Sequence, residues 1–249
     1  MLESEKTPIN RVSLFFSLAK LNYDDDLLRD GYFEKAKALL SEIEERTNSY
    51  YELDRRIRFL ELRLSFFSGK KVNDLMRLSE EILKSDEGFS IINNNTLFYY
   101  ILLHIVDGKI ETAEKMLEEN HLFFKGTGVI MEDFLNAVLF EHKGDHKRSI
   151  KLLNPILYTT QYFFTIFSRL VLIKIHLKRD NRTLCKSLID STAKLLVQNS
   201  GNPLGKEANE YVLSSFRRRI GSVRNTKNKG IEVENEVQLS VFHEYLLKD

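Results

Sequence analysis

The sequence predicts an all-α fold of stacked antiparallel helix hairpins, and three observations carry that prediction. Glycine and proline number only 11 and 3 in 249 residues. Both break regular elements, so their scarcity favours long helices over many short strands. A short polar turn recurs five times at nearly constant spacing, and a helix-length apolar segment lies upstream of each turn from the second onward.

The turns are Gly31-Tyr32-Phe33-Glu34-Lys35-Ala36, Lys70-Lys71-Val72-Asn73-Asp74-Leu75, Gly108-Lys109-Ile110-Glu111-Thr112-Ala113, Gly144-Asp145-His146-Lys147-Arg148-Ser149 and Asp180-Asn181-Arg182-Thr183-Leu184-Cys185. Their first residues lie 39, 38, 36 and 36 positions apart. Four of the five place a small residue five positions later: Ala36, Ala113, Ser149 and Cys185. A close helix crossing leaves no room there for a long side chain. Leu75 is the exception. One helical turn further on the chain is apolar again, at Leu39-Leu40, Met116-Leu117, Leu152-Leu153 and Leu188-Ile189, with Leu78 alone in the second unit.

Upstream, the apolar segments cover residues 57–67, 97–106, 134–140 and 166–177, so each unit holds two helices. In the first unit Tyr23-Asp24-Asp25-Asp26 interrupts the leading helix, and the aspartates suit a helix cap better than a cation site. The breakers in Ser200-Gly201-Asn202-Pro203-Leu204-Gly205 end the pattern. Residues 1–200 therefore read as a repeat array of about five helix pairs, and 201–249 as a C-terminal helical extension or cap. The extension predicts one helix near 206–220 and another near 236–248, with a polar loop over 221–230.

The unit Gly-x-aromatic-x-x-Ala resembles the turn and second helix of the tetratricopeptide repeat family, most closely over residues 108–117 and 144–153. The resemblance covers roughly residues 13–196. It implies a right-handed superhelical solenoid of about 12 helices. Units of 36 to 39 residues exceed the family's 34. The family's Trp and closing Pro are missing, which implies longer or rotated helices.

Composition excludes several functions. The chain is 43% hydrophobic and 29% charged, with 37 basic against 36 acidic residues, so global charge does not point to nucleic acid. Residues 2–7 show neither a basic nor an apolar leader region, and the single Cys185 forms no internal disulfide. Both agree with a cytoplasmic chain. The most apolar stretch, 162–177, has 16 residues including Arg169 and Lys174, too short for the ~20 of a membrane span.

Most candidate sites have plainer readings. Gly201-Asn202-Pro203-Leu204-Gly205-Lys206-Glu207 is one residue short of a phosphate-binding loop and lacks its Ser or Thr. His142 and His146 flank Gly144 at an interhelix turn and so cannot share a helix face for a metal. His104 and His176 hold equivalent repeat positions near the core. Cys185 stands where Ala36, Ala113 and Ser149 stand, as a packing residue rather than a nucleophile. Glu44-Glu45, Glu80-Glu81 and Glu118-Glu119 belong to solvated faces. No catalytic constellation, metal or cofactor is implied.

Two features remain. In the family the concave groove is lined by the leading helices, at positions that correspond here to 10, 6 and 3 residues before each turn. They are Leu60, Leu64 and Phe67; Phe98, Leu102 and Ile105; Phe134, Val138 and Glu141; Leu170, Lys174 and Leu177. Ten of the twelve are apolar, and an apolar face of that extent needs a cover. The occupant is a peptide or helix of a partner, a second copy of the chain, or the last helix with Val237, Leu239, Val241, Phe242, Tyr245 and Leu246. If the helices are rotated, these residues are plain core. The second feature is the basic run Arg217, Arg218, Arg219, Arg224, Lys227 and Lys229, which offers phosphate contacts to nucleic acid, although Glu232, Glu234 and Glu236 follow at once. The leading expectation is a non-catalytic scaffold holding a protein or peptide in the groove, possible also as a homo-oligomer. The alternative is a regulatory module contacting nucleic acid through residues 217–229.

Overall fold

The computed structural model describes residues 7–22, 26–85, 91–125, 128–198, 205–221 and 237–248. Among them the helical periodicity is realised as thirteen α-helices and no strand. They are α1 (Pro8–Leu21), α2 (Asp26–Ser41), α3 (Asn48–Phe67), α4 (Val72–Lys84), α5 (Ile91–Val106), α6 (Ile110–Glu119), α7 (His121–Phe124), α8 (Val129–His142), α9 (His146–Ile156), α10 (Tyr162–Lys178), α11 (Arg182–Gln198), α12 (Lys206–Gly221) and α13 (Val241–Leu247). The pairs α1/α2, α3/α4, α5/α6, α8/α9 and α10/α11 pack as hairpins, and α7 is a single turn between α6 and α8.

Three of the repeated turns share one hydrogen-bonded device. At Gly108, Gly144 and Asp180 the backbone is left-handed, with φ of 80°, 78° and 52°. The next residue's N–H reaches back to close the helix: Lys109 to the His104 carbonyl at 2.9 Å, Asp145 to Phe140 at 2.8 Å and Asn181 to His176 at 2.9 Å. This is the Schellman motif, in which a left-handed residue lets the orphan carbonyls of a helix end find donors. In the second unit the left-handed residue is Gly69, one before Lys70, yet α4 starts two residues after Lys70, as the later helices start two after their turn residues. That unit therefore carries one extra turn residue.

The first turn is a correction. Gly31 lies inside α2, and the α1/α2 connection falls about nine residues earlier, after Leu21. A glycine within a helix costs roughly 0.5–1 kcal/mol relative to Ala, a small loss against the burial of Phe33, Ala36 and Leu40 on the same helix. The aspartate run falls at this connection: α2 begins at Asp26, and Asp24 and Asp25 lie outside the described residues. The packing register survives the correction, because Ala36, Leu75, Ala113, Ser149 and Cys185 are all at most 1% exposed.

Two cores meet within α3. Its first half gives Leu53, Ile57 and Leu60 to a small cluster with α1 and α2, while Leu62 and Phe66 join the large cluster that runs on to α13. Neighbouring units alone do not account for the large core. Phe67 of α3 touches Phe163 and Phe167 of α10 at 6.2 and 6.3 Å between ring centroids, across two intervening units. Phe98 of α5 meets Phe134 of α8 and Phe164 of α10 at 6.1 and 5.2 Å. In an open array each unit contacts only its neighbours; here the leading helices curl until their aromatic residues close on one another. The expected 206–220 helix is α12. The 236–248 helix is the shorter α13, begun by the capping box in which Ser240 Oγ accepts from the His243 N–H at 3.3 Å.

Candidate interaction face

None of the expected groove residues is exposed. Leu60, Phe98, Leu102, Ile105, Phe134, Val138, Leu170 and Lys174 are buried, and Leu64, Phe67 and Leu177 are half-buried. The face is filled from within, by the α10 phenylalanines and by α13. Phe242 of α13 lies 5.9 Å from Phe134 and 4.8 Å from Phe167, and α13 also packs on α5 and α12. An apolar strip at helical spacing, exposed by the leading helices, is satisfied here by an apolar strip of the same chain.

The two polar residues among the twelve positions meet at this site. Glu141, 1% exposed, accepts from the Tyr245 hydroxyl, from Lys178 Nζ at 2.9 Å and from Lys174 Nζ at 3.5 Å. Burial alone would raise its pKa, but the Tyr245 bond and the two ammonium groups hold the carboxylate below its ordinary range. Lys174 is pushed down to about 8, first by burial and against the attraction of Glu141. Its Nζ donates to the Tyr245 carbonyl at 2.9 Å and sits 3.7 Å from the centroid of that ring. The ring of His142 stacks on Tyr245 from the other helix. The pair thus ties α8, α10 and α13 together.

A second polar network locks α13 to α12. His243 is fully buried, with Nδ1 2.7 Å from Ser240 Oγ and 3.3 Å from the Ser240 N–H, and Nε2 3.0 Å from Asn209 Oδ1. The backbone N–H can only donate, so Nδ1 accepts and Nε2 carries the hydrogen. Burial pushes the imidazole down to about 4, keeping it neutral. Before the helix, Gln238 Nε2 donates to the Ser68 carbonyl, and Gly69 leaves a Cβ-sized space only 3.0 Å from the Leu239 carbonyl. The α3/α4 turn and the approach to α13 are therefore in close contact.

The basic run is only partly within the described residues. Arg217 pairs with Asp190 at 3.4 Å, Arg218 is exposed on α12 and Arg219 donates to the Leu247 carbonyl at 2.6 Å. Arg224, Lys227 and Lys229 lie outside the described residues, as does most of the loop resembling a phosphate-binding motif. His142 ends α8 and His146 begins α9, and no cluster of three metal-ligating side chains occurs among the described residues. His104 is buried beside Tyr100. Cys185 is sealed, its thiol raised to about 11 by burial. No described helix is long and apolar enough to cross a membrane.

The chain matches no protein-family model, no curated protein and no solved structure.

Sequence reasoning did not single out Tyr245, His243 or Asn209 as polar anchors. Glu141 and Lys174 did carry a signal, as the two polar residues in an otherwise apolar register on successive leading helices. His243 and Asn209 carried none, because their pairing spans 34 residues of sequence and follows no period.

Proposed function

We propose that this chain is a non-catalytic interaction scaffold of the tetratricopeptide-like, right-handed superhelical type, working in the cytoplasm, and that its binding element is the inner face of the leading helices on which α13 rests. The observation that supports this reading is α13 itself. A seven-residue helix is held on three units by aromatic contacts and by the Glu141–Lys174–Tyr245 cluster, which is how a helix-in-groove ligand is recognised. A partner helix with the spacing of Phe242, Tyr245 and Leu246 would compete for the same face, and a second copy of the chain could supply it.

Competition tests the reading. In the full chain carrying Phe242→Ala and Tyr245→Ala, α13 loses its anchors, and a labelled peptide of residues 237–249 added in trans should bind, while the wild type leaves it free. Circular dichroism establishes that the variant remains helical. A helical variant that ignores the peptide would refute the proposal, as would amide exchange in wild-type α13 as slow as in α10. The second result would mean that α13 opens only on global unfolding.

A further inference from the structure

Where α10, α12 and α13 end and α11 begins, a pocket of ≈ 290 Å³ opens to the surface. Lys174, Lys178, Arg182, Arg219 and Lys248 line it, with Leu177, Ile220 and Cys185 as apolar wall. Against these five cations stand Asp180 in the lining and Glu141 behind Lys174 and Lys178.

Helix C-termini attract cations, which explains part of this arrangement. Arg219 serves the Leu247 carbonyl and Lys174 the Tyr245 carbonyl. It does not explain Arg182, which stands on the first residue of α11, at the positive end of a helix macrodipole. Among the described residues Arg182 engages Asp180 through Nε at 2.9 Å. Lys248 caps the carboxyl end of α13, where a cation is expected, yet its ammonium has no ion pair among the described residues. The positive field is felt inside the site. After burial, Lys178 and Arg219 are among the groups that lower the Lys174 pKa, opposing the rise that Glu141 provides.

We propose that this cavity is an anion site for a phosphate dianion, either free inorganic phosphate or the phosphoryl group of a small molecule. Guanidinium groups present paired donors that match phosphate oxygens, while lysines contribute point charge. The amino-terminal end of α11 adds its dipole. The volume suits one phosphoryl group with a short substituent.

Calorimetric titration of the full chain at low salt, with inorganic phosphate in one arm and O-phosphoserine in the other, tests the proposal. One saturable site is expected, with a melting temperature that rises with ligand. Arg182→Ala and Lys248→Ala should each weaken binding about tenfold, the loss of one charge-assisted hydrogen bond. Both side chains are substantially exposed, so unliganded melting should not change. Lys186→Ala, an exposed charge on α11 outside the cavity wall, should bind as the wild type does. Equal affinity in the two arms assigns the site to free phosphate, and tighter phosphoserine binding assigns it to a phosphorylated molecule. The proposal is overturned by absence of saturation, by Lys186→Ala weakening binding as much as Arg182→Ala, or by binding seen only with duplex DNA.

Discussion

Acidification should weaken the fold, and the contribution of His243 can be isolated. Its imidazole is at about 4 in the folded chain against an ordinary 6.5. The folded value is the lower one, so between the two the unfolded chain binds more protons and stability rises with pH. The contribution is complete above pH 6.5 and is lost as pH falls toward 4. At about 1.4 kcal/mol for each tenfold, the full loss is about 3 kcal/mol, of which about 2 kcal/mol has gone by pH 5. The structural cause is explicit: protonating Nδ1 turns an acceptor into a donor facing the Ser240 N–H, in a site without exposure to water. Urea unfolding followed by circular dichroism at about pH 7, 6 and 5 measures this, with His243→Gln as the non-titrating reference. His104 and His176, whose pKa values burial also lowers, and Glu141, whose stabilisation is likewise lost as pH falls through its folded value, titrate in both proteins and cancel in the difference. His243→Gln is expected to start less stable and to lose about 2 kcal/mol less on going to pH 5. Parallel curves for the two proteins would refute the reasoning, whatever their offset.

Other perturbations follow from the same packing. Ala113 and Ser149 are fully buried at helix crossings, so replacing either by Leu should cost about 1–3 kcal/mol in chemical denaturation. Ser149→Ala should be neutral or gain up to about 1 kcal/mol, because its hydroxyl is buried without a hydrogen-bond partner among the described residues. Cys185, with Sγ directed to the Ile173 carbonyl at 3.7 Å, should resist a thiol reagent in the native protein and react in denaturant; reaction at the denatured rate without denaturant would contradict its burial. Lys174→Met should cost about 3 kcal/mol, and Glu141→Leu in the same chain should restore part of that stability, since a buried carboxylate that has lost one of its two ammonium partners costs more than none. Additive costs in a double-mutant cycle would exclude the pair.

The hairpin pattern was legible because it rests on local chemistry. A left-handed residue followed by a new helix needs Gly or a tolerant substitute such as Asp, and three turns supply it with the same hydrogen bonds. Gly31 satisfied the same pattern and is helical: its backbone does not take the left-handed conformation that Gly108 and Gly144 adopt. The small residue five positions on was the stronger signal. It reports a helix crossing, which the packing preserves at Ala36 even where the turn is lost. The extra residue between Gly69 and α4 was invisible because Lys70 fits the helix start while Gly69 holds the left-handed backbone.

Why the chain covers its own inner face is a question of curvature. The apolar register of the leading helices required a cover, but which cover depends on how far successive units rotate. That rotation accumulates from crossing angles rather than from any one residue. Tight curling brings Phe67 to Phe163 and leaves room beside Phe134 and Phe167 for one short helix. The two polar residues then decide what that helix must carry. Glu141 and Lys174, buried on adjacent leading helices, satisfy each other only in part: Lys178 and the Tyr245 hydroxyl supply Glu141 with its further donors, and the Tyr245 backbone carbonyl gives Lys174 its acceptor. A purely apolar helix would fill the volume yet leave the Glu141 carboxylate short of a donor. Any helix that replaces α13 therefore has to present a hydrogen-bonding aromatic residue three positions after its apolar anchor, the spacing of Phe242 and Tyr245.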